Sequence, residues 1–144
     1  ASVNDVKVAC EVVSGHIMNA FQGRSVFLLP QGSYLAVAHS SENIDLDEKE
    51  MTAAYWTYRN GISSGKDTDT LSTASLKYYP LRTPNGVVGV MGIGVQEQER
   101  VRRLERERLL SAFANQIALA IERIQFWKQI SQVRDLIQPP RGTS

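Results

Sequence analysis

The chain has a single cysteine, Cys10, which excludes an internal disulfide and a cysteine-rich zinc site. Its two histidines, His16 and His39, belong to different predicted elements and lack a second ligand type at metal spacing, so no metal is expected. No apolar run approaches the ~18 residues of a membrane helix, and no secretory signal opens the chain. These absences point to a soluble, intracellular piece without membrane contact. Catalytic signatures are missing too: no His-Glu-x-x-His, no Cys-x-x-Cys and no nucleophile elbow. Gly86, Gly89, Gly92 and Gly94 fall within or beside a strand pattern, not in a phosphate loop, and suit bulges or close helix approach. An enzyme is the least supported class, and no cofactor is implied.

What is present is one ordinary globular domain. Its 144 residues include 42% apolar and 22% charged side chains, with a net charge of +1. The charge is uneven, because residues 1–98 carry 7 basic and 10 acidic groups and residues 99–144 carry 9 and 5. The basic excess lies in Glu99–Arg108, where acids interleave with arginines. Pairs such as Glu99–Arg103 and Arg103–Glu107 at i,i+4 explain it as solvated ion pairs without nucleic acid.

The order of elements follows from periodicity and punctuation. Ser2 and Asp5 form a helix start, and Val6, Cys10, Val13, Ile17 and Phe21 make one apolar stripe ending at Gly23 in the C′ position. Two short apolar runs, 25–29 and 34–38, flank Pro30-Gln-Gly-Ser33 as a hairpin, followed by a polar loop from His39 to Asp45. Asp45 or Asp47 caps a second helix bearing Met51, Ala54, Tyr55 and Tyr58, which stops at Asn60-Gly61. Residues 60–74 read as a polar loop, long enough to act as a functional lid. Strands over 76–81 and 87–93 follow, joined by Thr83-Pro-Asn-Gly86, whose Asn-Gly pair is a hairpin signal, with Pro80 expected at an edge or bulge.

Residues 97–138 contain neither Gly nor Pro and predict one helix of roughly 60 Å. A domain of this size has a diameter of roughly 40 Å, so its own body cannot cover that helix throughout. Leu110, Phe113, Ile117, Ala120, Ile124 and Trp127 form one seam, and Phe126, Ile130, Val133 and Ile137 continue in another phase. The first seam is expected on the sheet and the second against another subunit or domain. The alternative is a terminal helix packed back on its own body.

The fold class is therefore α+β, an antiparallel sheet flanked by an N-terminal and a long C-terminal helix. Aromatics gather around the lid at Tyr55, Trp56, Tyr58, Tyr78 and Tyr79, which suits a small-molecule pocket and equally a core. Tyr55, Tyr58, Arg59, Lys66, Asp67 and Asp69 are the candidate ligand-binding residues, with Arg59 and Lys66 suited to an anion. Asp67 and Asp69 alone are too few oxygen ligands for a calcium loop.

Particular segments carry a resemblance. Trp56-Thr-Tyr-Arg-Asn-Gly61, Gly65-Lys-Asp-Thr-Asp-Thr-Leu71, Tyr79-Pro-Leu81, Gly86-Val-Val-Gly-Val90 and the helix Leu109–Arg123 resemble the GAF region of the KdpD family of sensor histidine kinases. The resemblance spans about residues 2–125 and implies a GAF/PAS-like sensory domain at 1–125, with residues 126–144 as a helical extension and tail. It further implies a cytoplasmic module of an inner-membrane potassium-responsive kinase beside other domains of the parent protein, while the second seam of the long helix predicts a homodimer. The family's phosphoacceptor histidine after Ile-Glu-Arg is missing, since residues 124–144 contain no histidine. The cyclic-nucleotide signature of other GAF domains is also missing. Two rival readings remain: a connector for dimerisation and relay without a ligand, and the effector domain of a transcription regulator.

Overall fold

The computed structural model describes residues 3–96 and 100–137. The elements in chain order are helix α1 (Val3–Phe21), strands β1 (Arg24–Gln31) and β2 (Tyr34–Ser40), helix α2 (Glu48–Asn60), strands β3 (Ser64–Gly65), β4 (Lys77–Thr83) and β5 (Gly86–Gly94), and helix α3 (Arg100–Ile137). The strands form one antiparallel sheet in the order β2-β1-β5-β4-β3. This is the expected α+β arrangement.

Alternation along the strands sends side chains to two separate cores. On one face Phe27, Tyr79, Leu81, Met91 and Ile93 pack with the α1 stripe (Val6, Cys10, Val13, Ile17) and with Leu110, Ala114, Ile117 and Ile121 of α3. On the other face Val26, Leu28, Leu76, Tyr78 and Val90 pack with Ala53 and Ala54 of α2. Helices thus cover both faces of the sheet.

Local chemistry sets most element ends. The Asp47 carboxylate caps α2 by accepting from the Glu50 amide at 3.1 Å, which decides between the two expected caps. Gly61 closes the helix with φ 66°, a left-handed conformation that costs glycine little. At the end of α1 the left-handed residue is Gln22 (φ 54°), one position before the expected Gly23. Gly23 has a different duty, since a Cβ there would lie 2.7 Å from the Val95 side chain.

Other expectations shift in a similar way. Pro30 and Gln31 belong to β1, and Gly32-Ser33 alone turn the first hairpin; His39 and Ser40 extend β2 into the expected loop. The second hairpin turns within the expected Thr83–Gly86 segment, with Pro84-Asn85 at its tip, because Thr83 pairs with Gly86. Proline fixes a negative φ, which a type I′ turn centred there would forbid. Gly89, Gly92 and Gly94 of β5 make room for neighbours on the sheet, not for a helix: a Cβ on Gly92 would meet the Tyr78 ring and Val26. Pro80 sits beyond the two residues where β3 pairs with β4, at a free edge beside a bulge, as expected. The helix start at Ser2, the Glu99–Arg103 pair, and the tail after Ile137 lie outside the described residues.

The Cys10 thiol is fully buried, and burial, with the nearby Glu11 charge adding to it, pushes its pKa up from 9.0 to about 12. The folded chain should therefore resist a thiol reagent at pH 8 and react only after denaturation. Native-state labelling at the rate of a free thiol would contradict this placement.

Candidate functional site

Two features of β4 position the polar groups of the molecule. Tyr78 and Tyr79 are consecutive, so they point to opposite faces of the sheet. The Tyr78 hydroxyl donates to Glu50 at 2.8 Å, and the amides of Ser75 and Leu76 donate to the same carboxylate at 2.8 and 3.2 Å. Glu50 is 4% exposed, so these three donors do the work of solvent. On the other face, the Tyr79 hydroxyl lies 2.8 Å from both carboxylate oxygens of Glu107 on α3, and Lys77 pairs with Glu107 at 3.3 Å. Burial drives both phenols far above their usual pKa, and the facing carboxylates push in the same direction. The expected Arg103–Glu107 pair is thus replaced, as Glu107 turns toward the sheet. A second carboxylate of α3, Glu122, accepts from the Thr83 hydroxyl at the far end of β4.

Segment 61–76 is not an open lid. Ser64 and Gly65 add a fifth strand to the sheet edge. The Ser64 hydroxyl donates to the Ala53 carbonyl at 2.8 Å and receives the Thr57 hydroxyl at 2.7 Å, riveting the strand to α2. The Gly65 amide donates to Thr70, the Lys66 amide to Leu76, and Arg82 to the Gly61 carbonyl.

The six candidate ligand residues do not converge. Tyr55, Tyr58 and Arg59 line a cavity of about 260 Å³ with Pro30, Tyr34 and Leu35 at the tip of the first hairpin. The Tyr55 oxygen there already accepts from the Leu35 amide at 2.9 Å. Lys66 lines a different cleft, of about 310 Å³, with Arg24, Glu42 and Gln22 beside the end of α1. Asp67 and Asp69 line neither cavity, and Asp67 occupies a left-handed turn position (φ 62°). No group of His, Cys, Asp and Glu among the described residues is arranged to hold a metal.

Helix α3 has 38 residues, about 57 Å. Its inner face buries Leu110, Ala114, Ile117, Ala118 and Ile121, so the seam runs through Ala114 and Ile121; Trp127, expected on it, is half exposed. The outer face carries Leu119, Phe126 and Val133, each 49–59% exposed and seven residues apart. The residues expected on the relay stripe are reached in the order Phe126, Ile130, Val133 and Ile137, and of these only Ile130 is partly covered. The two phases seen in the sequence lie on two faces of one continuous helix. Arg106 is also hidden, at 4% exposure, with Nε and Nη1 meeting no partner among the described residues. No helix among the described residues is long and apolar enough to cross a membrane.

This geometry has close counterparts. The GAF domain family model matches residues 15–123. The sensor protein KdpD of Clostridium acetobutylicum is 33% identical over 84 residues, 58% of this chain and 9% of the relative. The Escherichia coli sensor protein KdpD is 29% identical over 123 residues, 82% of this chain and 13% of the relative. The chain thus spans about a tenth of the length of these curated relatives. The crystal structure of the GAF domain of the E. coli potassium sensor histidine kinase KdpD superposes with a TM-score of 0.72 at 24% identity, covering 90% of this chain and 87% of that one. A methyl-accepting chemotaxis protein superposes with a TM-score of 0.60 at 14% identity over 87% and 91% of the two chains.

Replacing Glu50 by Ala strands two buried donors, the Leu76 amide and the Tyr78 hydroxyl, and should lower stability by ~2 kcal/mol or more. Glu50→Gln, which keeps an acceptor, should cost less. Urea denaturation measures both, and equal losses would show that the carboxylate is not what holds Ser75, Leu76 and Tyr78.

Proposed function

The chain belongs to the GAF domain family, and from that premise we propose that it is the non-catalytic regulatory domain of a KdpD-like sensor histidine kinase. In this reading it lies on the cytoplasmic side of the membrane beside other domains of the kinase and contributes to the control of potassium uptake. The division falls near residue 125: the body before it senses, and the helix after it relays. The observation that carries the reading is helix α3, which is fixed to the sheet from Glu107 through Leu110 and Ile117 to Glu122, while the stretch beyond Ile124 presents bare apolar residues. From Ile124 to Ile137 the helix continues for about 20 Å. A second copy supplies cover for Phe126, Ile130, Val133 and Ile137, and a ligand acts by preferring one of two arrangements of that helix.

A connector role without a ligand has one observation in its favour. The candidate pocket side chains are divided between two cavities, and the Tyr55 hydroxyl is engaged at home. Titration calorimetry with nucleotides and other small anions separates the two readings. Heat that Arg59→Ala or Lys66→Ala abolishes is the result for a sensor, and no heat is the result for a connector.

Dimerisation is tested by Ile130→Glu with Ile137→Glu. The unsubstituted chain should have twice its 16.0 kDa mass in light scattering, and the double variant should be a monomer with an unchanged circular dichroism spectrum. A monomeric parent chain, or a variant that remains dimeric, would defeat the relay reading.

A further inference from the structure

Among the described residues, a largely apolar cavity lies on the face of the sheet opposite Tyr55 and Arg59. It is a groove of about 440 Å³ between the start of α1, the β1–β2 hairpin and α3. That volume falls in the ~300–1,000 Å³ range of small-molecule sites. Its floor is made by Leu29, Ala36, Ala38, Ile121 and Ile124. The space exists because the edge strand places alanines at 36 and 38, where larger residues would fill it. Among the residues lining the groove, the charged ones are Lys7 and Lys128, both exposed and both basic. Their aliphatic stems suit an apolar wall while the ammonium groups stay at the water boundary.

We infer that this groove binds an amphipathic anion: a single unbranched alkyl chain lying on the alanine and isoleucine floor, with a carboxylate held between Lys7 and Lys128. The argument is one of complementarity. An apolar floor selects an alkyl body, and a rim of one charge sign selects the opposite sign in the head group. Ile124 and Lys128 belong to the turns where α3 leaves the body, so the occupant touches the helix at its exit. The site shares no side chain with the Tyr58–Arg59 cavity beyond the neighbouring Pro30 and does not depend on the kinase reading above.

The test is titration calorimetry of the 144-residue chain with sodium decanoate below its micelle concentration, with decyltrimethylammonium as the cationic counterpart. The expected result is saturable one-to-one binding of decanoate and none of the cation. Lys7→Glu combined with Lys128→Glu should weaken decanoate roughly tenfold. Ala36→Leu, which fills the floor, should weaken it to a similar extent; should that variant fail to melt cooperatively, the exposed lysine pair still decides the matter. The proposal is overturned by equal binding of both amphiphiles, by decanoate binding that the substitutions leave unchanged, or by no binding. An Ala36→Leu variant that changes the oligomeric mass while decanoate does not bind assigns the groove to a second copy and overturns it as well.

Discussion

Two adjacent tyrosines on β4 tie together the layers of this molecule. A strand alternates its side chains, so Tyr78 and Tyr79 enter opposite cores, and each ends on a carboxylate from a helix it does not belong to. Glu50 brings α2 and the segment before β4 to one point, while Glu107 fixes α3 to the same strand from behind. A rotation of either helix against the sheet must break one of these hydrogen bonds, buried at Glu50 and partly buried at Glu107. That is why one strand sets the register of three helical and loop elements, and why the N-terminal half of α3 has a defined seat.

The same seat makes the rest of α3 conspicuous. A helix held at Glu107 and Glu122 cannot slide to hide its far end, so the apolar residues beyond Ile124 stay where the sheet cannot reach them. The seated part of the helix and the part with exposed apolar residues are thereby built from one uninterrupted element. Anything that tilts α3 on β4 displaces Ile137 by more than it displaces Leu110, simply because it lies further along the lever.

Much of this was legible from residue order. Periodicity located the α1 stripe, Asp47 and Gly61 bracketed α2, and the absence of Gly and Pro predicted the long helix. Other features left little trace. Strand β3 is two polar residues without alternation, ordered by contacts to Ala53 and Thr57. Glu50 reads as a capping-turn acid, and its burial depends on donors about twenty-five residues away. Trp127 leaves the sheet seam because a period of 3.5 drifts about 20° per heptad on a 3.6-residue helix, which carries the stripe off the buried face by that residue. The candidate ligand residues clustered along the chain, but a strand and a turn intervene and send them to different sides.

The free rim of β4 has a further effect. Past Tyr78 this strand has no neighbour on one side among the described residues, yet Pro80 lacks an amide hydrogen and the Leu81–Arg82 irregularity bends the backbone away from flatness. A stray extended peptide finds no regular ladder to extend on that border, so molecules crowded together in a cell lack a template there for fibrous stacking.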